Sequence, residues 1–461
     1  MKLITIFNLI AFSFLINASN AKKSYEGYKV YKVIPKTVGE IDLIKQLKTV
    51  EFWEEHFEVN YGSKLMVAPD NQKKFLEFTR ANNVSVQEVI ANLESVINEQ
   101  SRPTRHLRST NQFLSFDWDN YHNLDEISKW LDELEQNYPD IIKTVIIGKS
   151  VENRDIKGVV LNYNPEKENK LIGVIEGGIH AREWISPATV TWILKEFLTS
   201  TDPKVRQLAE SLEWHFLPTV NPDGYSYTFT NDRMWRKNRS KTNSTSCVSS
   251  GLEDDRSNGV DLNRNFNFVW NMYGTSNDPC SNTFAGPAPD SEPETKAIES
   301  YVLDVKTKGE LIYYLAFHSY SQLLIVPYSH LSGSEVLQAN NFGDMFEIAM
   351  RSADKLSERY GTMYKVGVSA DVMYEMSGTS FDWVKHATDV PVSYLFELRD
   401  LGDHGFLLPP EQIVPNNLEI MDALLELDRA TRALGYYQSS ANSALSLLSL
   451  VLLLLVVVIF C

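Results

Sequence analysis

Between residues 111 and 437, short apolar runs alternate with longer periodic ones, and that alternation limits the chain to few folds. Runs at 143–147, 159–162, 172–176, 214–220, 311–317 and 393–397 have the length of strands. Several are apolar almost without a gap, as strands buried on both faces of a sheet are. Spans 187–198, 292–305, 335–360 and 411–434 carry helical periodicity. Asn123-Leu-Asp-Glu126 starts a further helix, and Ser291-Glu-Pro-Glu294 reads as a capping box. Strands interleaved with helices imply an α/β domain with helices packed on a mixed sheet. Sites in such folds sit at the strand ends.

The chain has 461 residues, room for two or three domains. Its formal net charge of −16 argues against a nucleic-acid partner, whose footprint is a basic patch. Ahead of the α/β pattern, residues 22–98 read as a small α+β unit. It has strands at 28–34, 51–59 and 64–68, and a capping box, Ser85-Val-Gln-Glu88, opening a helix toward Ile97. Residues 99–108 are polar and basic and read as a linker, with sites for a trypsin-like protease at Arg105 and Arg108.

Both ends are apolar. Residues 1–21 read as a secretory signal peptide: Met1-Lys2, an apolar run over 3–16, then Ser19-Asn20-Ala21 at the cleavage site. Residues 445–461 are almost wholly apolar with no charge after them, and small residues Ser439 to Ser443 precede them. A stop-transfer helix carries Lys or Arg on its cytoplasmic side. The absence of such charges favours a GPI-attachment signal over 439–461, with a plain membrane tail as the alternative. The expected location is the extracellular face of the membrane or the secreted space. Cys461 falls in the tail, leaving Cys247 and Cys280 for one disulfide, or as two free thiols. Sequons at Asn83, Asn238 and Asn243 are candidate glycosylation sites.

Within this frame stands His180-Ala-Arg-Glu183, with a lone His318 far downstream. Two imidazoles and one carboxylate leave a tetrahedral zinc one open position, which suits catalysis better than a closed structural site. A bare His-x-x-Glu is a weak signal, and a lone histidine is as often a core residue. The context raises both. Gly177-Gly178 permits a sharp turn between the 172–176 strand and His180, and His318 ends the 311–317 strand. Both rings could therefore meet at one sheet edge.

Further ordered motifs carry a resemblance. They are Asn221-Pro-Asp-Gly224, Met234-Trp-Arg236-Lys-Asn-Arg239, Gly259-Val-Asp-Leu-Asn263-Arg264-Asn265, His318-Ser319-Tyr320-Ser-Gln, Met373-Tyr374 and Phe396-Glu397-Leu-Arg-Asp400. Together with the histidine motif they resemble the zinc metallocarboxypeptidases of the carboxypeptidase A/B family, made as zymogens. The resemblance covers about residues 28–434. It implies an eight-stranded mixed sheet with helices on both faces, preceded by a small α+β propeptide domain. It implies one zinc ion held by His180, Glu183 and His318, Glu397 as general base and Arg236 as oxyanion stabiliser. Asn263 and Arg264 would clamp the substrate's terminal carboxylate, with Tyr374 closing over it. Arg182, Ser319 and Tyr320 would be further substrate contacts. Asp261 would be either a hydrogen-bond partner of a zinc histidine or a structural cap. Residues 22–108 would be the inhibitory propeptide and 109–438 the catalytic domain. Substrates would be peptide or protein C-termini.

The family's selecting position falls at Phe381. An aromatic residue there implies release of apolar C-terminal residues, since burying an unpaired charge against it is costly. Ser329, Ser369 and especially Asp371 leave a basic preference as the alternative. A membrane-tethered binding protein without catalysis is the other alternative. Two departures from the family stand out: Ser257 occupies a position where most relatives carry cysteine, and one extra residue lies between Tyr374 and Glu397, near His386-Ala387, where a loop is expected.

Overall fold

The computed structural model describes residues 22–47, 49–53, 57–101, 112–242 and 258–437. Residues 1–21, Arg105, Arg108, Asn243, Cys247, Ser257 and residues 438–461 lie outside the described residues. The N-terminal part runs β1 (Lys29–Ile34), α1 (Val38–Lys45), β2 (Glu51–Phe52), β3 (Ser63–Val67), α2 (Pro69–Ala81), β4 (Ser85–Ile90) and α3 (Leu93–Gln100). It continues as α4 (Leu124–Asn137), β5 (Ile142–Lys149), β6 (Asp155–Leu161), β7 (Lys170–Glu176), α5 (Ile185–Thr199), α6 (Pro203–Ser211), β8 (Glu213–Leu217) and α7 (Pro222–Thr230). The last part is α8 (Pro293–Lys308), β9 (Gly309–Ser319), β10 (Leu323–Ile325), α9 (Phe342–Tyr360), β11 (Lys365–Gly367), α10 (Ser369–Val372), α11 (Ser380–Thr388), β12 (Val392–Leu398) and α12 (Ile413–Ala433).

The small N-terminal sheet is antiparallel in the order β2-β3-β1-β4. Alternation along β1 and β3 gives it two apolar faces. Tyr31, Val33, Leu65 and Val67 pack with Ile44 of α1 and Phe75 of α2. Val30 and Met66 instead join Met234, Tyr320 and Phe406 of the larger domain. The unit thus docks through its second face.

The larger sheet has eight strands in the order β11-β10-β12-β9-β7-β8-β6-β5, with parallel pairs at its centre and antiparallel ones at β6 and β5. One face packs α4, α5, α6, α9 and α12 through residues such as Trp130, Val190, Leu208, Ile348 and Ile420. The other packs α8 and α11 through Ile298, Val302 and Val384. The expected α/β architecture is the one observed.

Local expectations fail where tertiary pairing outweighs a short signal. The segment from Ser85 is a strand, because β4 pairs along β1 from Ile34↔Ser85 to Val30↔Ile90. The helix starts only at Leu93, where Asn92 Oδ1 accepts the Glu94 N–H at 3.2 Å. The strand expected over 51–59 shrinks to Glu51–Phe52. The helix expected from residue 335 begins at Phe342, after a 3₁₀ turn at Gly333–Gln338. The Asn123 capping box forms in both directions. The Ser291 box does not: its hydroxyl is spent on Glu292 Oε1 at 2.7 Å, and Pro293 opens α8 without a side-chain cap.

Three central strands end at one edge. The register sets Glu176 beside Ala316 and Glu397 beside His318. Glu397 of β12 stands beside His318 of β9, and His386-Ala387 lie in the last turn of α11 rather than in a loop. The turn out of β7 needs its glycine. Gly178 has φ +67°, and a Cβ there would stand 2.9 Å from Pro218 O.

Candidate active site

That turn delivers His180 and Glu183, and β9 delivers His318. His180 Nδ1 stands 2.8 Å from Glu183 Oε1 and 3.1 Å from His318 Nδ1. His318 Nδ1 lies 3.2 Å from Glu183 Oε2. All three side chains are buried, and they form the one such donor group found among the described residues. The fit to zinc is geometric. Four ligands at about 2.0–2.1 Å in a tetrahedron stand roughly 3.3 Å apart, close to the observed spacings. The donor chemistry also fits. His180 Nε2 lies 3.1 Å from Asp261 Oδ1, so it carries the proton and leaves Nδ1 with a bare lone pair. The Ser319 N–H holds Glu183 Oε2 at 3.1 Å.

Asp261 fills both roles expected of it. Besides His180, its Oδ1 accepts the Asn263 N–H at 3.1 Å, capping the turn that carries Asn263 and Arg264. Its Oδ2 accepts from Arg236 Nε at 3.1 Å and Nη2 at 2.8 Å. Burial pushes the Asp261 carboxyl up, but Arg236 and His180 hold it well below the usual range. One carboxylate thus ties His180, Arg236 and the turn that carries Asn263 and Arg264 together.

Glu397, Arg236, Asn263, Arg264 and Tyr374 line one cleft with the three ligands. Asn263 Oδ1 accepts the Ser380 N–H at 2.9 Å, so its Nδ2 remains the donor. Arg264 is held by Gly274 O at 2.9 Å and Asn263 O at 2.7 Å, and its Nη2 donates to the Tyr374 hydroxyl at 3.1 Å. Ser319 and Tyr320 also reach the cleft.

The small N-terminal unit closes the cleft from above. Phe52 and Trp53 enter its lining, and only about 60 Å³ of cavity remains. Ligand sites of roughly 300–1,000 Å³ are usual. Arg182 Nη2 donates to Trp53 O at 2.8 Å, and the guanidinium lies over the Phe406 ring at 4.0 Å. The expected substrate contact is thus occupied by the chain's own backbone.

Three expectations need correction. Phe381 does not line this cleft; it is 0% exposed and packed among Leu262, Phe266 and Val384. Met373, Met376 and Leu395 form the apolar wall instead. Asp371 is exposed and lies off the lining. Asn238 is no glycan acceptor in this fold. It is fully buried, and its Nδ2 donates to Glu292 and Glu294 at 2.7 and 3.1 Å. Asn83 is exposed in a turn after α2. Cys280 is disulfide-bonded, and its expected partner lies outside the described residues.

Sequence reasoning missed Trp53, Phe406 and the latch at Arg233. Arg233 is fully buried, donating to Gln100 Oε1 at 2.9 Å, Arg182 O at 2.9 Å and Phe406 O at 2.8 Å. Nothing local to Arg233 in the sequence announces partners this distant.

Comparison with known proteins agrees with this geometry. A zinc carboxypeptidase family model matches residues 127–423, and a carboxypeptidase activation peptide model matches residues 31–100. Zinc carboxypeptidase A 1 of Anopheles gambiae is 38% identical over 437 residues, covering 93% of this chain and 95% of that protein. Carboxypeptidase B of Astacus astacus is 40% identical over 309 residues, covering 67% and 96%. The crystal structure of carboxypeptidase A from Helicoverpa armigera matches with a TM-score of 0.76 and 25% identity, over 90% of this chain and 99% of that one. The chain belongs to the zinc carboxypeptidases, in the zymogen form that carries an activation peptide ahead of its catalytic domain.

Proposed function

We propose that the activated enzyme removes apolar residues one at a time from peptide C-termini. The observation that carries this is Asn263 and Arg264 sharing one cleft with His180, Glu183 and His318. A guanidinium fork binds a carboxylate in a bidentate way, so only a chain end satisfies the cleft. Zinc, when bound, lowers the pKa of water and polarises the scissile carbonyl. Glu397, beside His318 in the register, takes the proton from the attacking water and passes it to the leaving amine. Arg236 faces the charge that develops on the carbonyl oxygen. Tyr374, already hydrogen-bonded to Arg264, covers the terminal carboxylate. Residues 22–108 act as the inhibitory propeptide and 109–438 as the catalytic domain.

The apolar preference is supported by Met373, Met376 and Leu395 on the cleft wall. The acid nearest Phe381 in sequence, Asp382, is fully buried; burial pushes its carboxyl up to about 7, and it accepts the Ser329 N–H at 3.0 Å. It is not among the residues that line the cleft, so it does not face a basic side chain bound there. Relatives named carboxypeptidase A and B match almost equally, so their names do not decide the matter. The test uses peptides identical except at the last residue, with mass loss followed with and without a chelator. Chelator-sensitive loss of one terminal Leu, Met or Val, at rates roughly tenfold above Lys or Arg, is expected. Faster release of Lys or Arg overturns the preference, and no cleavage by the zinc-loaded enzyme overturns the activity.

Secretion and attachment through the C-terminal tail belong to the same proposal. No helix of the described residues is long and apolar enough to cross a membrane. Release from cells by a phosphatidylinositol-specific phospholipase is expected; retention after treatment overturns GPI anchoring.

A further inference from the structure

Asn238 meets the local rule for a glycan acceptor yet is buried, and no step above uses it. It lies two residues after Arg236, in a segment that passes alongside residues 259–261. Its backbone N–H donates to Val260 O at 3.0 Å, and its Oδ1 accepts the Val260 N–H at 2.8 Å. Val260 is thus clasped by the backbone and the side chain of Asn238 at once. The approach is close: Gly259 has φ +84°, and a Cβ there would stand 2.4 Å from Asn238 O. The residue after Val260 is Asp261, whose Oδ2 holds the Arg236 guanidinium at 3.1 and 2.8 Å. Chain, clasp and ion pair therefore close a ring from Arg236 through Asn238, Val260 and Asp261 back to Arg236.

The carboxamide that closes this ring has a fixed orientation. Its Nδ2 donates to Glu292 Oε2 at 2.7 Å and to Glu294 Oε2 at 3.1 Å. A carboxamide of this length supplies an acceptor for Val260 and two donor hydrogens for the two acids. An apolar side chain would leave the Val260 N–H and both acids short of a partner. Glu292 is itself held from the clamp side, since its N–H donates to Asn265 Oδ1 at 3.1 Å.

We propose that Asn238 is a positioning residue for Arg236: by clasping Val260 it sets how Arg236 meets Asp261, and so aims the guanidinium at the scissile carbonyl. This rests on Arg236 stabilising the charge that develops on the carbonyl oxygen. The test is a double-mutant cycle on activated, zinc-loaded enzyme, with an N-blocked dipeptide ending in leucine as substrate. Arg236→Ala lowers kcat by about 10²–10³-fold. Asn238→Ala lowers kcat by about 10-fold with KM within about 2-fold, the signature of an interaction made in the transition state. Bound zinc stays stoichiometric. In the Arg236→Ala background the same substitution changes kcat by less than about 2-fold, because the group it aims is gone. Asn238→Ser, which keeps a hydroxyl, serves in the same cycle if Asn238→Ala does not fold. Glycopeptide mass spectrometry of the full chain finds Asn238 unmodified.

A roughly 10-fold loss of kcat in both backgrounds overturns the proposal, since it marks an effect independent of Arg236. Unchanged kcat in the single variant overturns it, as does a glycan on Asn238. A loss of zinc in step with kcat also overturns it, because that marks an effect through His180. If Arg236→Ala itself keeps the parental kcat, the oxyanion role fails, whatever Asn238 does.

Discussion

Glu397→Gln is expected to lower kcat by about 10³-fold, within the range that a positioned general base supplies. KM should move little, and zinc binding should be intact. The substitution is isosteric, so it removes the basic lone pair and little else. Glu397 lies on β12, held in a parallel register with β9 that runs from Val392↔Tyr313 to Leu398↔Ser319. That ladder fixes its Cα beside that of His318. A neutral amide in the same place keeps the shape of the cleft but cannot take the proton from water. The measurement is steady-state hydrolysis of a C-terminal-leucine peptide, with bound metal quantified in the same preparation. Residual activity above about a tenth of the parent would assign the proton transfer to another group. Loss of zinc alongside activity would assign Glu397 to holding the metal.

Much of the catalytic site was legible because its signals are local. The strand at 172–176, two glycines and His180 occupy adjacent positions, and only glycine allows the close passage of Gly178 past Pro218. The apolar run before His318 ends where the strand ends. By contrast, the surroundings of Phe381 were not legible. The motif around Phe381 suggests a side chain facing the substrate, but the α11 start turns it into the apolar cluster with Phe266 and Trp383. Met373 and Leu395 line the cleft beside Met376, a consequence of three-dimensional packing that carries no sequence signature. The Asn238 sequon likewise met all the local rules and failed on burial alone. β4 failed for the reverse reason: its partner strand lies more than fifty residues earlier in the chain, between Val30↔Ile90 and Ile34↔Ser85. The plug at Trp53 is the extreme case, since its carbonyl meets an arginine 129 residues away.

That plug sets the second large effect. The uncut zymogen is expected to show about 1% or less of the activity of the enzyme cut between residues 102 and 108. Closure rests on several contacts that cross the two domains. Trp53 O accepts from Arg182 at 2.8 Å, and Gln100 Oε1 from Arg233 at 2.9 Å. Gln100 Nε2 donates to Leu408 O at 3.1 Å, and Tyr25 OH to Asp232 at 2.6 Å. Each is worth about 1 kcal/mol net. An occupancy of about 99% at the roughly millimolar effective concentration of a short tether needs a Kd of about 10 μM, which these contacts reach together with the apolar packing of Val30, Trp53 and Met66 on Met234, Tyr320 and Phe406. None of these contacts is broken by cutting after residue 101. Cleavage instead removes the tether, so full activity should follow dilution rather than the cut itself. Trypsin-treated enzyme assayed at nanomolar concentration should be at least about 100-fold more active than uncut protein. Adding back the purified N-terminal fragment should lower that activity again. Gln100→Ala, which leaves Arg233 short of one acceptor, should raise the basal activity of uncut protein several-fold, roughly. Equal activity before and after cutting would mean that Trp53 does not bar the cleft, and that the small domain is an accessory rather than an inhibitor.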